Sequence, residues 1–123
     1  MKTTAATPEQ KLTALAELEG LPHAVVIADH TGTLRVDYWL DGEQFMRTKG
    51  NYLTSLDAIM PLVKQQPHHK VAFIDALWSI IQPGCTFKRT REHFDYADMS
   101  AWIMATPEQI CDALLIATGR FEP

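Results

Sequence analysis

The sequence predicts an α+β domain, an antiparallel sheet layered with helices, and three observations carry that reading. Capped helical segments stand near both ends of the chain, residues 23–48 show period-two hydrophobicity, and two further segments of helical spacing follow. The predicted order is α-β-β-β-α-α-β-β-α. At 123 residues this is one domain, residues 1–123, with enough chain to bury a core without staples.

The first and last helices are announced by the same words. Residues 7–20 read "TPEQKLTALAELEG" and residues 106–119 read "TPEQICDALLIATG". Thr7 and Thr106 are helix N-caps, and the proline that follows each occupies the first helical position, where no amide hydrogen is needed. Glu9 and Glu108 meet the positive end of the helix dipole. Gln10 and Gln109 close a capping box, and Gly20 and Gly119 supply a left-handed stop. The repeat is helix punctuation rather than a binding motif. The first helix sets Leu12, Leu15, Ala16 and Leu18 against Glu9, Lys11, Glu17 and Glu19, an amphipathic surface helix. The last is almost continuously apolar from Ile110 to Ala117 and is expected to be buried.

Between them, "HAVVIADH" reads as a strand and "HTGT" as a turn. "LRVDYWL" alternates, with Leu34, Val36, Tyr38 and Leu40 on one face and Arg35, Asp37 and Trp39 on the other. Asp41–Gly42 signals a two-residue hairpin, with "EQFMRTK" returning as the third strand. A helix opens near Thr54 or Ser55, with Leu56, Ile59, Met60 and Val63 on its apolar side and Pro61 loosening its first turns. The next begins at Gln66–Pro67, where Val71, Ile74, Leu77, Trp78 and Ile81 recur at helical spacing. "CTFKRTREHFDYADMS" reads as a strand with a long loop, and "AWIMA" as a short strand before the last helix.

Net charge is -4, which argues against a general nucleic-acid coat. Two cysteines, Cys85 and Cys111, give no disulfide framework and point to a reducing compartment. No stretch reaches the roughly 20 apolar residues of a membrane span, and "MKTTAATPEQ" has no secretory h-region. The expected location is the cytoplasm of a bacterial cell.

Four groups of residues invite a chemical role. Lys88, Arg89 and Arg91 lie among Phe87, Phe94 and Tyr96. The cations suit phosphate or carboxylate and the rings suit stacking on a base, although short charge runs also serve simply as solvated surface. Trp39 lies with Arg35 on the polar-alternating face beside Arg47, either as an interface anchor or under a covering helix. His68 and His69, adjacent on a helix, point about 100° apart and do not grip one metal together. A metal site would have to be assembled from distant residues, such as His69 with His93 and Asp95. Cys85 follows Pro83–Gly84 in a loop, whereas Cys111 on an apolar helix is expected to be inert. There is no G-x-S-x-G elbow and no glycine-rich phosphate loop.

"YLTSLDAIMPLV" (52–63) and "ATPEQICDALLIATGRFE" (105–122), preceded by "TPEQKLTALAELEG", resemble the phage ABA-sandwich family, small proteins of phages, prophages and some bacteria. The likeness rests on the Gly-terminated leading helix, the Tyr-x-x-x-x-Asp-Ala helix entry and the closing helix. Arg120 and Phe121 stand where Lys-Trp is common. It covers roughly half of the chain, and the 23–50 meander is longer and more regular than the family pattern. It implies helix–sheet–helix layering, no established activity and no catalytic residues.

The expectation is a non-enzymatic, phage-type accessory protein without cofactor or metal, acting as a homo-oligomer. It would occupy a host protein or sequester a small anionic, nucleotide-like ligand, antagonising host antiviral defence. Its contacts would be Arg35, Trp39, Arg47, Lys88, Arg89, Arg91 and Phe94. The alternatives are a small hydrolase using His69, His93, Asp95 or Cys85, and a structural phage oligomer.

Overall fold

The structure, a computed structural model, describes residues 1–81 and 104–123. Among these, helix and antiparallel sheet combine as an α+β fold. A 3-10 turn at Thr3–Ala5 leads to α1 (Pro8–Glu19), followed by β1 (Val25–Ala28), β2 (Leu34–Tyr38) and β3 (Arg47–Lys49). Then come α2 (Leu56–Lys64), a 3-10 turn at Pro67–His69, α3 (Lys70–Ile81) and finally α4 (Pro107–Ala117). The strands form a meander, β1-β2-β3, with Val26 opposite Val36 and Val36 opposite Lys49. The basic stretch from Lys88 to Tyr96 lies outside the described residues, as does most of "AWIMA". Of the latter, Met104 sits in a turn and Ala105 just precedes the α4 cap, neither in a strand.

Both predicted capping boxes are present. The Thr7 hydroxyl accepts from Gln10 N at 3.2 Å while Thr7 N donates to Gln10 Oε1 at 2.8 Å, and Thr106 and Gln109 repeat the pattern at 3.1 and 2.9 Å. Gly20 closes α1 at φ 80°, the left-handed region where a side chain would be strained.

The core centres on α4. Ile110, Cys111, Ala113, Leu114 and Leu115 are all buried, and the helix packs against α3, α1, α2 and the first 3-10 turn. Full burial of a leucine side chain contributes about 1.5–3 kcal/mol. Leu12, Leu15 and Ala16 of α1 and Val36 of β2 join the same cluster, so α1 is the layer between sheet and helices.

Several expectations need correction. Lys11, read as part of the polar face of α1, is buried. Its ammonium sits 2.9 Å from Asp112 Oδ1 and 3.6 Å from Glu108 Oε1 on α4. At the other end, Arg120 reaches Glu17 at 3.2 Å. These links join start to start and end to end, so α1 and α4 run in the same sense. Asp37, read as facing outward, is fully buried, because Arg35 Nε at 3.1 Å and the Thr48 hydroxyl at 2.9 Å donate to it. Consecutive strand residues face opposite ways, so with Val36 also buried both faces of β2 are covered at mid-strand.

The third strand is shorter than "EQFMRTK": only Arg47–Lys49 pair, and the connection runs from 39 to 46 instead of turning on two residues. In α2, Leu56 is exposed and Leu62 takes its place inside, while Pro61 is accommodated on the exposed side. In α3, Val71 is 76% exposed, and Ala76, Leu77 and Trp78 are the buried residues. Both misplacements are shifts of the buried stripe by a fraction of a turn.

Candidate functional site

Charge positions are the first thing to place on this fold. Arg35 donates to both carboxylate oxygens of Asp37 at 3.1 Å. Arg47 forks onto Glu43, with Nη2 to Oε1 at 2.8 Å and Nε to Oε2 at 3.1 Å. That hydrogen bond holds the Glu43 carboxyl below the usual range. Both arginines already hold carboxylates. Lys88, Arg89, Arg91 and Phe94, and with them Cys85, His93 and Asp95, lie outside the described residues. Trp39 lies one residue beyond β2, and Tyr38, not Trp39, stands opposite Arg47.

The Arg47–Glu43 fork braces the β2–β3 connection, residues 39–46. Its base is pinned by Trp39 N donating to Pro22 O at 3.3 Å, and its turn closes with Glu43 N donating to Leu40 O at 3.1 Å. Gly42 sits at φ 83° in that turn, a conformation that accounts for glycine here. On the near side His23 adopts φ 54°, rare for a residue with a side chain. Its ring stacks on Trp39, with centroids 5.9 Å apart and planes within 18°, and Nε2 lies 2.8 Å from Asp41 Oδ1. The strained backbone of His23 is thus held by two partners from the loop.

What this bracing presents is apolar. Trp39 (37%), Leu40, Phe45 (81%) and Met46 are all exposed, four of the nine exposed large apolar residues among those described. Residues Glu43–Arg47 line an open depression of about 500 Å³. Large exposed apolar side chains grouped on one element mark interaction surfaces more often than scattered ones do. Strand alternation singled out Trp39, which is partly exposed. Phe45 and Met46 drew no notice, because 43–49 read simply as a returning strand.

The nucleophile and metal candidates have a different setting. Cys111 is buried and donates to Tyr52 O at 3.1 Å, and burial pushes its thiol up, away from the reactive thiolate. His68 and His69 lie in the 3-10 turn before α3, and among the described residues no group of three or more His, Cys, Asp or Glu is placed to hold a metal ion. The polar network around Tyr52 is structural: its hydroxyl donates to Glu19 at 3.1 Å, and Lys49 pairs with Glu19 at 3.0 Å. No helix among the described residues is long and apolar enough to cross a membrane.

No family model matches the chain, and no curated protein or solved structure matches it either. The resemblance to the phage ABA-sandwich family therefore rests on the quoted motifs alone.

Proposed function

We propose that this chain is a non-enzymatic binding protein that occupies a partner protein through the 39–46 loop. The observation that carries the reading is the pairing of exposure with bracing. Trp39, Leu40, Phe45 and Met46 are presented to solvent by a connection held through His23–Asp41, the His23–Trp39 stack and the Arg47–Glu43 fork. Aromatic and methionine side chains are enriched at interface cores, and a loop ordered beforehand loses less entropy on binding. Arg35 and Arg47 serve the scaffold, which favours a protein partner over capture of a nucleotide-like anion at these two residues.

Taken with the phage resemblance, our reading puts that partner among host proteins of a bacterial cytoplasm, antiviral defence being the target class. The chain itself would act as a homo-oligomer. The test replaces Phe45 by a photocrosslinking phenylalanine analogue in bacterial cells, with and without Trp39→Ser. The reading expects one dominant heterologous adduct that disappears with Trp39→Ser while the thermal midpoint holds. Adducts only between copies of this chain, or adducts indifferent to Trp39, would overturn it.

A further inference from the structure

A second site lies away from that loop, at the corner where α2 hands over to α3. The helix ends at Lys64, the chain turns through Pro67–His69, and α3 begins at Lys70. The corner encloses a cavity of about 330 Å³. Its apolar lining is Val63, Pro67, Phe73 and the fully buried Leu114 of α4. Lys64, Gln66 and Lys70 also line it, and among the described residues no carboxylate does.

The state of the two lysines separates this cavity from an ordinary surface dent. The described residues include eight Lys and Arg: Lys2, Lys11, Arg35, Arg47, Lys49, Lys64, Lys70 and Arg120. Five of them hold carboxylates. Of the three without an ion pair among the described residues, two stand on this one cavity. In a chain of net charge -4, two uncompensated cations beside an apolar floor make a local positive field with a low-dielectric wall. A larger cavity of about 540 Å³ between α3, α4 and the first 3-10 turn has Asp75 and Asp112 on its wall and, among the described residues, no cation.

We propose that the α2–α3 corner binds a small amphipathic carboxylate, its tail on Val63, Pro67 and Phe73 and its head between Lys64 and Lys70. The volume falls at the lower end of the ~300–1,000 Å³ typical of ligand sites. At about 30 Å³ for each water-sized group, 330 Å³ admits roughly ten heavy atoms, the size of an eight-carbon chain with its carboxylate. The apolar floor supplies non-directional attraction, and the paired ammoniums select the charged head. This inference stands apart from the partner-binding loop and survives or fails without it.

Octanoate titrated into the full chain, followed by amide chemical shifts, is the test. The expected result is saturable binding with a dissociation constant below ~1 mM, with shifts concentrated at residues 63–73 and 114. Lys64→Gln with Lys70→Gln weakens it at least tenfold without moving the thermal midpoint, since both side chains are exposed and unpaired. Octan-1-ol, of the same size but uncharged, binds at least tenfold more weakly. Unsaturable shifts, shifts centred elsewhere, equal affinity for the alcohol, or octanoate affinity unchanged in the double variant would each overturn the proposal.

Discussion

Lys11→Met isolates the staple between the first and last helices. In the wild type the ammonium is buried 2.9 Å from Asp112, whose side chain is 20% exposed, and 3.6 Å from the more exposed Glu108. Removing one partner of a fully buried ion pair costs about 3–5 kcal/mol, because the survivor is left uncompensated. Asp112 keeps some access to water, and methionine retains the apolar burial of the lysine stem, so the expected loss at pH 7 is smaller, about 2–3 kcal/mol. For a chain of this length that is roughly 8–12 °C in the thermal midpoint. The acid limb carries a signature. Burial raises the Asp112 carboxyl and Lys11 pulls it back, so the variant's carboxyl rises further. A carboxyl raised on folding contributes stability that is complete below its unfolded value, about 3.9, and is lost as pH climbs through the folded value. The variant loses more over that climb, so the gap between the proteins should open with rising pH and close towards pH 4. Urea denaturation followed by tryptophan fluorescence at pH 4 and pH 7 reads it directly. Lys11→Met with Asp112→Leu should recover stability at pH 7 to within about 1 kcal/mol of wild type. A gap independent of pH, or a midpoint within about 2 °C of wild type at pH 7, would refute the reasoning.

Three other outcomes follow from the same structure. Thr7→Ala and Thr106→Ala each remove a cap and should cost about 1 kcal/mol, adding to within ~0.5 kcal/mol in the double variant, as measured by chemical denaturation. In a Cys85→Ser background, Cys111 should resist thiol reagents in the native state, with a labelling rate that rises only as denaturant opens the chain; rapid native labelling would contradict its burial against Tyr52. Phe45→Ser, at a residue 81% exposed, should leave stability within about 0.5 kcal/mol of wild type, so that its effect on partner capture reads binding and not folding.

Local chemistry made the helix ends legible. A threonine followed by proline and, three residues on, glutamine defines a start that needs no tertiary partner. Gly20 and Gly119 both took the left-handed conformation that their positions promised. What stayed hidden were properties created by distant chain. Nothing near Lys11 in sequence reveals Asp112 a hundred residues away, and alternation alone set Asp37 outward although Arg35 and Thr48 satisfy it inside. The loop was misread for a related reason. "DG" promised a tight hairpin, but the Arg47–Glu43 fork and the His23–Trp39 stack hold a longer connection whose apolar residues face water. Arg35 and Arg47, chosen as contact residues, hold Asp37 and Glu43, and the Glu43 partner was not visible in the sequence. The cations on the α2–α3 cavity, Lys64 and Lys70, drew no notice because nothing in the sequence brings them to one hollow.

The central place of α4 has a consequence for how the protein comes into being on the ribosome. The helix that the others pack around is made after all of them, and its five buried residues complete the cluster begun by Leu12, Leu15 and Val36. Until α4 emerges, α1 carries an exposed apolar stripe, with Lys11 still hydrated and its eventual counter-ions not yet translated. The nascent chain can form capped helices and a hairpin, all local structures, but its tertiary core waits for contacts that span most of its length. Synthesis of α4 therefore closes this core. A chain truncated before Thr106 would present the apolar faces of α1, α2 and α3 to chaperones and proteases, whereas one that extends through α4 would hide them.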